Sequence, residues 1–195
     1  MRFLIIISGL FFLNMQLTAQ VTNPDRETSS DKVKFSVIQQ VAIIGNEVQA
    51  IPAFQVIFGA QYKRYFLGVG AAIDPYFTYS FPLFVDGRYT FFDKRFSSYV
   101  YGDLGINKMV HSSERFPREW ENGTHAYTLH TGLYYDYGLG IKTKLARSLY
   151  YTFSIGISFK ETKYSYSNQW WGPTPQEELY RNVASRFAVK MGLQF

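Results

Sequence analysis

From Val33 to Phe195 the chain alternates apolar and polar side chains, with short polar interruptions. A period of two places successive side chains on opposite faces of extended strands. Eight runs carry the pattern. The first sets Val33, Phe35, Val37, Val41 and Ile43 against Lys34, Ser36 and Gln40. The second sets Phe54, Val56, Phe58, Ala60 and Tyr62 against Gln55, Gly59 and Gln61. Tyr65, Leu67, Val69, Ala71 and Ile73 oppose Gly68, Gly70 and Asp74 in the third. In the fourth, Tyr79, Phe81, Leu83, Val85, Tyr89 and Phe91 oppose Ser80, Asp86, Arg88 and Thr90.

The fifth run alternates Val100, Leu104 and Ile106 with Tyr101, Asp103 and Asn107. The sixth sets Leu129, Leu133, Tyr135, Tyr137, Leu139 and Ile141 against His130, Asp136, Gly138, Gly140 and Lys142. The seventh sets Leu149, Tyr151, Phe153, Ile155, Ile157 and Phe159 against Thr152, Ser154, Gly156, Ser158 and Lys160. The last runs to the end of the sequence, with Phe187, Val189, Met191, Leu193 and Phe195 on its apolar face and Arg186, Lys190 and Gln194 on its polar one.

The polar faces are rich in glycine: Gly59, Gly68, Gly70, Gly138, Gly140, Gly156 and Gly192 all lie on them. Glycine inside a strand weakens it unless another group must approach closely. A narrow barrel has that need, because large and small side chains interdigitate in its lumen. The polar face is therefore predicted to line a lumen and the aliphatic face to point outward. Links alternate in length. Lys63-Arg64, Asp93 to Phe96 and Ala146-Arg147-Ser148 are tight, whereas residues 111–126 and 165–182 are long and polar. Short turns on one side and longer loops on the other match the plan of outer-membrane barrels.

Before the first strand, Arg2 precedes an apolar run from Phe3 to Leu13, and Leu17-Thr18-Ala19 offers a cleavage site before Gln20. The run is too short for a bilayer helix, which needs about 20 residues, and reads as a secretory signal peptide. The expected organisation is a signal peptide over 1–19, a flexible lead-in over 20–31 and a barrel over 32–195.

With an even strand count, an aromatic C-terminal residue and this loop asymmetry, the chain resembles the small eight-stranded bacterial outer-membrane β-barrel proteins of the OmpA/OmpX type. The Leu-Thr-Ala-Gln junction and the Gly-rich third strand resemble the secreted barrels common in Bacteroidetes. The resemblance implies an all-β, eight-stranded antiparallel up-and-down transmembrane β-barrel with a filled lumen, located in the cell outer membrane with both mature termini periplasmic. It implies that Phe187, Val189, Met191, Leu193 and Phe195 form the signal read by the outer-membrane assembly machinery. Outer-membrane lipid and lipopolysaccharide are its implied partners, and the long loops are free to meet an extracellular one. It carries over no catalytic residue.

Composition changes this picture little. An aromatic share of 19% suits a protein with two membrane interfaces to anchor. The net charge of +5 is scattered in ones and twos, without the clustered stripe that nucleic acid would require. Zero cysteines exclude disulfides and thiolate metal sites, and no cofactor or metal is expected.

Candidate chemistry lies in two places. Asp86, Arg88, Asp103, Asp136, Arg186 and Lys190 are expected in the lumen. Asp86, Arg88 and Asp103 should stand at one height with Lys190 across from them, and Asp136 with Arg186 nearer the loops. Such a network could relay protons or ions, but an eight-stranded barrel has room only for side chains, which favours a salt-bridged plug. The loops carry Trp120, Trp170 and Trp171, rings suited either to recognition or to the outer headgroup belt. His111 and Ser113, with Glu114, Glu119 and Glu121 nearby, raise a lipid A-modifying enzyme as an alternative, although their parity continues the lumen face. His130 is also expected in the lumen. A soluble lipocalin-like barrel, with the aliphatic face inside, is the remaining alternative.

Overall fold

A computed structural model describes residues 32–47, 49–76, 79–92, 95–110, 127–146, 148–168 and 176–195. The strands are β1 (Lys34–Gly45), β2 (Ala50–Tyr62), β3 (Tyr65–Ile73), β4 (Ser80–Thr90), β5 (Phe96–Met109), β6 (Tyr127–His130), β7 (Gly132–Lys144), β8 (Tyr150–Asn168) and β9 (Gln176–Gln194). All pair antiparallel. The wall runs β1-β2-β3-β4-β5-β7-β8-β9 and closes when β9 pairs with β1. The short β6 continues β7 along the edge of β8. The barrel thus has eight wall strands, as the alternation predicts.

The stagger can be read from the register. From Gly45 the pairs run through Phe187, Ile157, Tyr137, Gly102, Gly87, Leu67 and Ala60, and return to β1 at Phe35. The circuit slips 45 − 35 = 10 residues. Closure with this stagger tilts the strands by roughly 40° from the barrel axis.

The faces fall as the alternation predicts. Phe58, Leu67, Val69, Val85, Leu104, Leu139, Ile155 and Phe187 are exposed on the outer wall. Gln40, Gln55, Asp86, Asp103, Asp136, Ser158, Arg186 and Lys190 are buried inside. A lipocalin-like arrangement would need the reverse.

Close packing explains the lumen glycines. A Cβ at Gly138 would stand 2.8 Å from Cε1 of Tyr101, and one at Gly140 would collide with the Tyr99 ring. At the tight turn between β2 and β3, Lys63 adopts a left-handed backbone, φ 53°, as the short turns of twisted hairpins require.

Two departures from the sequence expectation concern the loop end. β8 and β9 stay paired up to Asn168 and Gln176, so strand occupies 165–168 and 176–182 of the predicted loop over 165–182. In addition, His130 pairs with Lys163 and Tyr134 with Lys160. Three residues, 131–133, therefore oppose two, 161 and 162: a β-bulge. The extra residue reverses parity above it. His130 consequently sits on the outer face with Lys163, and its expected place in the lumen is corrected.

Candidate functional site

The register places Asp86 opposite Asp103 and Asp103 opposite Asp136, so adjacent strands β4, β5 and β7 present three carboxylates in one row. Like charges so close in a buried space must be met by cations. Arg88 meets Asp86 through a two-pronged contact, Nε to Oδ1 at 2.9 Å and Nη2 to Oδ2 at 2.9 Å. Its guanidinium also lies 5.9 Å from the Phe66 ring centre, 5.5 Å from Tyr99 and 5.9 Å from Tyr101, contacts that favour a planar cation.

Lys190 reaches across from β9 and stands 2.9 Å from Asp136 and 3.3 Å from Asp103. Around it, Tyr101 donates to Asp136 Oδ1 at 2.8 Å and Tyr134 to Oδ2 at 3.3 Å. The chain continues across the barrel. Gln55 donates to the Tyr134 hydroxyl at 3.1 Å, and Gln40 to Gln55 at 2.5 Å. Side chains from β1, β2, β5, β7 and β9 thereby form one hydrogen-bonded plate. Such networks are stable only when their members are satisfied together.

A second tier lies nearer the loops. Arg186 contacts Asp74 at 2.6 Å and donates to Ser158 at 2.9 Å. Lys160 lies 3.4 Å from the same carboxylate and donates to the Tyr76 carbonyl at 2.7 Å. Among the described residues of both tiers, four carboxylates (Asp74, Asp86, Asp103 and Asp136) face four cations (Arg88, Lys160, Arg186 and Lys190). The lumen ion pairs balance in charge.

Five of the six predicted lumen residues, Asp86, Arg88, Asp103, Asp136 and Lys190, meet in the first tier. The expected common height of Asp136 and Arg186 nearer the loops is corrected: Asp136 stands in the first tier with Lys190, and Arg186 in the second with Asp74. The alternation puts Asp74 and Lys160 on the lumen face, but neither they nor Tyr76 were expected in the charged network. Asp74 shared the lumen parity of β3 but precedes Pro75, which marks a turn. Both roles hold, because the Asp74 side chain also accepts the Tyr76 N–H at 2.9 Å.

Of the residues expected to form an assembly signal, Phe187, Val189 and Met191 are exposed on the outer wall. Phe195 exchanges backbone hydrogen bonds with Val37 at 2.9 and 3.2 Å, and its carbonyl accepts from Ser36 at 2.7 Å. The terminal residue therefore takes part in barrel closure.

Outside the barrel, above the bulge, Glu161 accepts the Leu133 N–H at 2.9 Å, pairs with Lys163 at 3.1 Å and contacts Arg181. His130 and Ser165 share a hydrogen bond of 2.9 Å on the same face. The expected signal peptide over 1–19, the expected lead-in over 20–31, His111, Ser113, Glu114, Glu119, Glu121, Trp120, Trp170 and Trp171 lie outside the described residues.

No family model matches the sequence, and comparison with curated proteins finds no match. Solved structures do. The outer membrane protein OprG from Pseudomonas aeruginosa superposes with a TM-score of 0.62 at 10% identity, covering 85% of this chain and 97% of that one. Neisserial surface protein A gives a TM-score of 0.53 at 12% identity, covering 84% and 98%. Such likeness speaks to fold. With its closed wall, apolar exterior and charge-paired interior, the chain is an eight-stranded antiparallel up-and-down β-barrel with the fold of small outer-membrane proteins.

Proposed function

We propose that this chain is an integral protein of the cell outer membrane with a structural or surface-interaction role, not a channel or an enzyme. The observation that carries the reading is the hydrogen-bonded plate from Gln40 to Lys190, which spans the lumen and pairs its charges. A solute path would have to break buried ion pairs, each costly to leave half-made. Activity is therefore assigned to the outside of the molecule.

The apolar wall supports contact with outer-membrane lipid and lipopolysaccharide. The C-terminal strand supports recognition by the assembly machinery, after export on a signal peptide that is then removed. β1 begins and β9 ends on the short-turn side, which the proposal places in the periplasm together with both mature termini. The long loops expected about 111–126 and 165–182 are proposed to meet an extracellular partner, with Trp120, Trp170 and Trp171 as its candidate contacts. A lipid A-modifying role gains little from the His130–Ser165 contact, because the nearby carboxylate of Glu161 is engaged by Lys163, Arg181 and Leu133.

Trypsin treatment of intact cells tests this arrangement. Cleavage after Arg115 or Arg118 with Lys63-Arg64 spared until lysis is the expected result. Protection of Arg115 and Arg118 on intact cells, with cleavage only after lysis, would refute the surface role.

A further inference from the structure

The outer wall changes character on β8, and on β9 Arg181 stands between exposed Val183 and exposed Leu179. Going towards the loops, the outward residues of β8 run Ile155, Ile157, Phe159 and then Glu161, Lys163, Ser165. Those of β9 run Met191, Val189, Phe187, Ser185, Val183 and then Arg181. Lys163 lies four residues beyond Phe159, roughly 13 Å along the strand. Just below the change, the Tyr135 and Phe159 rings stack at 4.5 Å, and Leu133 and Val183 are each 49% exposed.

The charged patch is a built arrangement. The bulge releases the Leu133 N–H from the ladder, and Glu161 takes it up at 2.9 Å. Anchored there, the carboxylate holds Lys163 and Arg181 side by side. Two cations share one anion, so the patch keeps a net positive charge. Arg181 is 64% exposed, which leaves its guanidinium open to a further acceptor. Lys163 pairs across the strands with His130 and with Arg181, which brings the His130–Ser165 pair into the same cluster.

Cations above an apolar and aromatic wall, at the outer end of a transmembrane barrel, match one chemistry: a phosphate group carried on acyl chains. We infer that Lys163, Arg181 and His130 bind the phosphate of a phosphorylated outer-leaflet lipid, whose chains lie on Leu133, Tyr135, Phe159 and Val183. Glu161 acts as a positioning residue. This inference rests on the membrane reading above and deepens it by naming the headgroup and its site.

Native mass spectrometry of the folded barrel in detergent micelles tests it, with bisphosphorylated lipid A and the same lipid stripped of its phosphates as probes. The phosphorylated form should be retained roughly tenfold more tightly, the order expected of a charge-assisted contact. Lys163→Ala with Arg181→Ala should erase that preference, whereas Lys144→Ala at the opposite rim should keep it. Equal retention of both lipids by the unaltered chain would overturn the inference, whatever the variants do. So would a preference that survives in the double variant, or full displacement by excess inorganic phosphate, which would mark a site for the free anion. Heat-modifiable gel mobility is read alongside. A folded barrel without lipid preference sinks only this inference, whereas loss of heat modifiability in the unaltered chain strikes at the membrane reading itself.

Discussion

Asp103 and Asp136 stand directly opposite each other on β5 and β7, and the single ammonium of Lys190 lies within 3.3 Å of one and 2.9 Å of the other. Their side chains are almost wholly buried, and so is that of Lys190. A cation shared by two carboxylates ties three strands of the wall together through the lumen.

Removing that cation should be costly. Lys190→Met is expected to destabilise the barrel by about 3–5 kcal/mol, the usual penalty for stripping one partner from a buried ion pair. Adding Asp103→Asn and Asp136→Asn should restore most of the loss, since the first tier then keeps only the Arg88–Asp86 pair and no carboxylate is left without its cation. Denaturant unfolding in micelles, read by tryptophan fluorescence, measures both. A triple variant no better than Lys190→Met would show that packing rather than charge pairing sets the cost.

Gly138 and Leu139 give a paired test of inside and outside. A Cβ at Gly138 already meets the Tyr101 ring at 2.8 Å, whereas Leu139 is 60% exposed on the outer wall. Gly138→Trp should impair assembly, and Leu139→Trp should be tolerated in lipid. The amount of heat-modifiable barrel in each variant decides, and the opposite ranking would reverse the faces.

Deleting Phe195 removes an aromatic ring together with the two backbone hydrogen bonds to Val37 and the acceptor for Ser36. Assembled barrel in the outer-membrane fraction should fall. Unchanged levels would dissociate the terminal residue from assembly.

A lumen crossed by the plate from Gln40 to Lys190 should not conduct. In planar bilayers the purified barrel is expected to give no stepwise current above the bare membrane. Reproducible single-channel steps would argue for a path between the paired charges.

The sequence revealed the faces of the barrel more readily than its registers. Side-chain parity follows from alternation alone, so Asp86, Arg88, Asp103, Asp136, Arg186 and Lys190 could all be assigned to the lumen before any pairing was known. Which of them meet depends on strand stagger, which parity does not encode. That is why Arg186 pairs with Asp74 rather than Asp136. The bulge over residues 131–133 has no signature in the alternation, so parity alone points His130 to the lumen, whereas the register turns it outward. β8 and β9 also continue where polar residues suggested a loop, because strands above an apolar band need only pair with each other to persist.

The most direct test is fractionation of cells expressing the full chain, with gel mobility compared before and after boiling. A transmembrane barrel with an aliphatic exterior should sediment with the outer membrane and shift its mobility on heating. Soluble protein in the periplasm or medium, migrating alike in both lanes, would contradict an outward-facing apolar wall.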